Sequence, residues 1–120
     1  MAVRAIRGAT QIERDDASLM HEAVTELIEE MLRSNGLAIE DLISCIFTVT
    51  TDLTSDFPAA AARSAGLGEI PLICAMEIPV PGSLPRTIRV MMHCQSSRTL
   101  RQISHIYLRG TSVLRKDLAQ

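Results

Sequence analysis

Between residues 19 and 32 the apolar positions fall three and four apart. Leu19, Ala23, Leu27 and Met31 form one row, and Met20, Val24, Ile28 and Leu32 form the next. Glu22, Glu26, Glu29, Glu30 and Arg33 occupy the other side. This period predicts an amphipathic helix with one face for a core. Asp16 or Ser18 can cap its start, and Asn35-Gly36 can close its end in a left-handed conformation. The methionines in the stripe read as adaptable core filler.

Shorter runs have strand character. Val3 to Ala9 carries β-branched and small residues, and Glu13 to Asp16 then supplies charged, turn-forming ones. From Leu42 to Thr51 both alternating sets are apolar, with Ile43, Cys45, Phe47 and Val49 on one side and Leu42 and Ile46 on the other. That predicts an interior strand covered on both faces. Asp52 to Asp56 is a turn, and Pro58 suits the first position of a short helix over Ala59 to Ala65 that ends at Gly66. Its consecutive alanines leave little bulk, so the helix can lie close against another surface. Strands at Ile70 to Met76 and Thr87 to Cys94 flank a loop marked by Pro79, Pro81, Gly82 and Pro85. Gln102 to His105 reads as a helical turn, and Ile106 to Leu108 and Thr111 to Leu114 read as short edge segments. The order predicts an α+β fold, an α/β sandwich with a mixed sheet, one long helix and a short helix, in a single domain over residues 1–120.

Composition narrows the partners. Hydrophobic residues make up 47 % of the chain, yet Phe47, Phe57 and Tyr107 are its only aromatics, so the core is aliphatic and oligomer contacts are expected. A net charge of -2 and a pI of about 5.9 argue against nucleic acid, whose phosphates call for a basic surface. Cys45, Cys74 and Cys94 are odd in number and lack a C-x-x-C pair, the pattern of a reduced cytoplasmic protein. No apolar run approaches the ~20 residues of a membrane span, and Arg4 and Arg7 interrupt any signal-peptide core.

Two arginines stand out within apolar runs, Arg7 in Val3-Arg4-Ala5-Ile6-Arg7-Gly8 and Arg89 in Thr87-Ile88-Arg89-Val90-Met91-Met92. Drawing a permanent cation into a sheet is costly unless carboxylate or phosphate oxygens meet its fork of donors, and few acidic residues lie nearby in sequence. An anion site is one reading; a wetted strand face is the other. Arg7 shares its face with Val3 and Ala5, and Arg89 with Met91, as the lining of a pocket would.

Other chemistries find less support. His21, His93 and His105 lack ligand spacing for a metal. Cys74 precedes Glu77 by three residues without a nucleophile signature and reads as an inert thiol. Gly66-Leu67-Gly68 is too short for a dinucleotide fingerprint and follows a helix instead of a strand. Taken singly, Glu77 reads as a solvated strand-end carboxylate and Tyr107 as a core residue with a satisfied hydroxyl.

Together these residues form a pattern that resembles the AroH-type, Bacillus-like monofunctional chorismate mutases, nearly end to end. It is carried by Arg4-Ala5-Ile6-Arg7-Gly8-Ala9-Thr10 with Glu13-Arg14-Asp15, by Thr51-Asp52-Leu53 and Phe57-Pro58-Ala59, by Ile88-Arg89-Val90-Met91, and by His105-Ile106-Tyr107-Leu108 with Val113-Leu114-Arg115. The resemblance implies a cytoplasmic homotrimer whose sheets form a central pseudo-α/β-barrel, with a site at each subunit boundary. It implies that chorismate is isomerised to prephenate there without cofactor or metal. Arg7, Arg89 and Tyr107 would hold the dicarboxylate and Glu77 and Cys74 would face its ring hydroxyl. Phe57 and Arg63 would come from the neighbouring chain, and Ala59, Ala60, Ile73 and Leu114 would line the same pocket. Relatives often have lysine at the position of Ala60, and their usual Leu-Arg-Pro-Asp-Leu tail is here Leu114-Arg115-Lys116-Asp117-Leu118.

The implied rearrangement breaks an ether bond while forming a carbon–carbon bond, with no proton transfer or covalent intermediate. Holding the substrate's flexible arm and stabilising charge on the ether oxygen suffice. The expected catalytic residues are Arg89, aimed at that oxygen, with Arg7 and Glu77. Two other readings fit the same residues: a trimeric binder of a small carboxylate metabolite, and a hydrolase or lyase using Cys74 with Glu77.

Overall fold

The structure, a computed structural model, describes residues 1–119, and the side chains of residues 1–114. Five strands form one mixed sheet: β1 (Ala2–Gln11), β2 (Leu42–Val49), β3 (Leu72–Met76), β4 (Thr87–Ser96) and β5 (Ile106–Tyr107), in the order β3-β2-β4-β1-β5. β4 is the spine, antiparallel to both β1 and β2, while β3 and β5 add parallel strands at the edges. Helix α1 (Ala17–Ser34) covers one face, with α2 (Pro58–Ala62) beside it.

Helix α1 follows its sequence signals. The Asp16 carboxylate accepts from the Leu19 N–H, and Gly36, at φ 62, turns the chain out of the last turn. Met20, Ala23, Val24, Leu27, Ile28 and Met31 are buried against Ile6, Phe47, Ile88, Val90 and Met92 of the sheet. Gly8 lets β1 approach closely, because a Cβ there would run into the Met31 sulfur. Asn35 then locks the end of α1 to the distal chain. Its buried amide donates to the carbonyls of Met31 (2.8 Å) and Ser104 (2.9 Å), and its oxygen accepts from Ser104 N–H (2.8 Å).

The open face departs from expectation. β2 is an interior strand as its apolar runs predict, but only one of its faces is covered within the chain. The ladder with β4 slips between Leu42 and Ser44, a bulge that moves Leu42 to the buried side with Cys45 and Phe47. Ile43 and Ile46 remain 39 % and 38 % exposed. Ile73 lies across the ladder from Ile46 and is 61 % exposed.

Three local expectations need correction. Thr111 to Leu114 is not an edge strand but part of a 3-10 stretch, Arg109–Ala119. Arg109, at φ 56, turns the chain off the sheet edge, and Thr111 donates from both its N–H and its hydroxyl to the Leu108 carbonyl. The helical turn expected over Gln102 to His105 forms earlier, at Leu100–Gln102, where the Gln102 side chain accepts from the Thr99 N–H. Helix α2 is shorter than predicted, Pro58–Ala62, and passes at Arg63 into a wider π-type turn that ends at Leu67, with Gly66 in the left-handed region at φ 111.

Candidate active site

On the face of the sheet away from α1, strand pairing places Ala75, Thr48, Arg89, Ala9 and Tyr107 in one row across all five strands. The adjacent row runs Ile73, Ile46, Met91, Arg7. Side chains in such a row share a face. Arg89 therefore stands between Thr48 and the small Ala9, with Tyr107 one strand further and Arg7 two positions from Ala9 along β1. Together they line a cavity of about 270 Å³.

The electrostatics of this cavity are unbalanced. It contains two guanidinium groups; among the described residues the one carboxylate paired with either is Glu77, just past the end of β3, which faces Arg89. The Glu77 backbone extends the ladder by donating to the Val49 carbonyl at 2.8 Å. Its carboxylate Oε2 accepts from the Thr48 hydroxyl at 2.8 Å and lies 3.6 Å from Arg89 Nε. That separation is an ion pair but too long for a hydrogen bond. Arg89 Nε is buried with no hydrogen-bond partner among the described residues. Arg7 forms no ion pair among the described residues; its backbone N–H donates to His105 Nδ1 at 2.9 Å. Burial, and secondarily the Arg7 charge, pushes the His105 pKa below its ordinary value of 6.5. The acceptor role of Nδ1 also fixes the proton of the neutral ring on Nε2.

The remaining expected residues are placed as follows. Cys74 and Glu77 differ by an odd number along an extended segment. Ile73 and Ala75 share the face of Ile46 and Thr48, whereas Cys74 pairs with the buried Phe47 on the opposite face. Within one chain Cys74 therefore does not join Arg89. It lies with Phe57, Leu53 and Met76 in a second cavity of about 380 Å³. Phe57 is 68 % exposed, Ala59 is buried within α2, Ala60 is half-buried and Arg63 is exposed. Leu114, half-buried in the 3-10 stretch, does not line the Arg89 cavity. The tail departure at Lys116 lies outside the described side chains. Thr48 and His105, which hold Glu77 and Arg7, were not among the expected site residues. Strand pairing reveals the first, and the bond from the Arg7 N–H reveals the second.

No group of three or more potential metal ligands converges among the described residues. The buried thiols are poor nucleophiles. Burial, reinforced by neighbouring Cys94, pushes Cys45 up to about 12, and burial likewise raises Cys94. The Arg7–Arg89 cavity is suited to grip a small organic dianion through fixed cations, without proton or group transfer.

The profile of the type I chorismate mutase family matches residues 3–118. A chorismate mutase AroH from Thermus thermophilus is 49 % identical over 117 residues, covering 97 % of this chain and 96 % of the relative. One from Bacillus subtilis is 38 % identical over 120 residues, covering 99 % and 94 %. The solved structure of a chorismate mutase from Clostridium thermocellum superposes with a TM-score of 0.90 at 46 % identity, covering 92 % of this chain and 98 % of that one.

Proposed function

The chain belongs to the type I chorismate mutase family and is an isomerase converting chorismate to prephenate, and we propose that the Arg7–Arg89 cavity is where the rearrangement takes place. The observation that supports this most is the buried Nε of Arg89, which has no hydrogen-bond partner among the described residues. A charged donor held in this state interacts more strongly with an oxygen gaining negative charge than with a neutral ether oxygen. Arg89 thus lowers the barrier by stabilising the ether oxygen as its bond to carbon breaks. Arg7 and Tyr107 bind carboxylate groups that keep their charge throughout, which serves binding and orientation. Glu77 accepts from the ring hydroxyl while its other oxygen keeps its bond to Thr48.

The site is completed in a homotrimer. Ile46, Ile73 and Val3, on the open face of the sheet, form an apolar surface that a single chain leaves in water, and burying it drives association. A neighbouring chain contributes Phe57 and Arg63, both exposed and outside the Arg89 cavity in the single chain, and covers the dianion. Cys74, Ala59, Ala60, Ile73 and Leu114 border that closed site. No described helix is long and apolar enough to cross a membrane; with three unpaired cysteines, cytoplasmic residence follows as part of the same proposal.

The test is loss of chorismate absorbance and appearance of prephenate with the purified chain, paired with its mass in solution. The expected result is turnover by a species of three times 13.1 kDa. An active monomer would contradict the shared site, and a trimer without turnover would contradict the assigned chemistry.

A further inference from the structure

We propose that Thr48 is a positioning residue for the rearrangement: by engaging Glu77 it keeps Arg89 from closing onto that carboxylate. This rests on the role of Arg89 given above. Thr48 lies directly across the β2–β4 ladder from Arg89, in the cavity wall, one position before Val49 at the end of β2. Its hydroxyl donates to Glu77 Oε2 at 2.8 Å, the same oxygen that lies 3.6 Å from Arg89 Nε.

Glu77 itself is anchored through its backbone bond to Val49, so its carboxylate can swing but its Cα cannot follow. Without the Thr48 hydroxyl, that oxygen still has a charged donor 3.6 Å away in Arg89 Nε. A shift of less than ~1 Å would bring the pair within hydrogen-bonding distance. A closed pair satisfies Arg89 from within the protein. Its charge is then already compensated, and the developing oxyanion must compete for the donor. A preorganised donor becomes one that must be reorganised during the reaction. Thr48 is also half-buried in a strand, where a β-branched residue of its size is favoured for packing alone, so an isosteric replacement separates hydroxyl from shape.

The experiment compares Thr48→Val, Thr48→Ser and Arg89→Ala in the full chain, each assayed as the assembled protein. Thr48→Val keeps the shape and removes the donor. Its kcat is expected to fall about tenfold, the order of one lost hydrogen bond to a charged group, with KM changed much less. Thr48→Ser, which restores the donor on a smaller side chain, is expected to recover most of that loss. Equal kcat for Thr48→Val and the parent, beside a collapsed Arg89→Ala, overturns the positioning role while leaving the Arg89 assignment intact. Equal losses in Thr48→Val and Thr48→Ser also overturn it, since restoring the hydroxyl would then restore nothing and the packing of the intact threonine, not its hydrogen bond, would be what matters. Retained turnover in Arg89→Ala overturns the reading of the site on which the inference rests.

Discussion

Arg89 and Glu77 face each other at 3.6 Å, close enough for strong attraction and too far for a hydrogen bond. The carboxylate is tied to Thr48 and the guanidinium is left with a buried donor in reserve. A fully closed pair would stabilise the resting protein at the expense of the donor. An arginine without any carboxylate nearby would be a costly isolated charge. The observed spacing lies between these cases and suits a cation that receives negative charge only as the reaction proceeds.

Arg7 occupies the same cavity but a different electrostatic setting, with no ion pair among the described residues. A contact to a substrate carboxylate is equally strong before and during the rearrangement. Arg7→Ala should therefore raise KM by roughly 10- to 100-fold, the equivalent of one charge-assisted contact, and lower kcat far less. Steady-state kinetics over a wide chorismate range distinguish this from a loss confined to kcat, which would reverse the two arginines' roles.

His105 accepts from the Arg7 N–H through Nδ1, and burial holds its pKa below 6.5. The unfolded chain consequently binds a proton at a higher pH than the folded one. Stability from this group is fully present above 6.5 and is lost as pH falls from there through the lowered folded pKa. Thermal unfolding between about pH 8 and pH 5 should show a decline on acidification that is smaller in His105→Asn, which keeps an acceptor without the titration. Identical pH profiles for parent and variant would mean that His105 is not the group responsible.

Cys45 and Cys94 are buried in the core, and burial raises both thiol pKa values, Cys45 to about 12. Native protein treated with a thiol reagent at neutral pH should label at Cys74 at most, with the other two reacting only after denaturation. Mass mapping of the labelled peptides checks this. Rapid native labelling of Cys45 would show that the helix-covered core opens readily.

Gly8 carries the β1–α1 contact. Gly8→Ala would press a methyl against the Met31 sulfur and against Val90 Cγ1, 3.0 Å away. Met31 and Val90 lie in the buried core, so relief requires Met31 to repack among close-packed neighbours or the helix to shift. A destabilisation of about 1–3 kcal/mol is expected, read as a lower urea midpoint. An unchanged midpoint would mean that Met31 repacks without cost.

Much of this was legible in the chain. The period of α1, its Asp16 and Gly36 signals and the interior character of β2 are written in local residue order, because propensity and burial pattern act over a few neighbours. Arg7 and Arg89 were conspicuous because charge within an apolar run is unusual. Pairing was not legible. That Thr48 opposes Arg89, and that Ala9 separates Arg89 from Tyr107, depends on strand register, which long-range packing sets. The bulge at Leu42 hid which apolar set faces the core. Cys74 is a different case, since simple alternation from Glu77 already separates the two faces within one chain. The 3-10 course of Thr111 to Leu114 was obscured by the β-branched Thr111 and Val113; the Thr111 N–H turns back to the Leu108 carbonyl, and its hydroxyl bonds the carbonyls of Leu108 and of Ala9 in β1, in place of a backbone ladder.

The most direct measurement is the turnover of saturating chorismate by Arg89→Ala, with folding and assembly checked in the same preparation. A preorganised donor aimed at the breaking bond predicts a fall in kcat of roughly 10²- to 10³-fold with the assembly intact, and only partial recovery in Arg89→Lys. An assembled Arg89→Ala protein that turns over chorismate within about threefold of the parent would contradict the account, because less than 1 kcal/mol of the barrier would then depend on that charge.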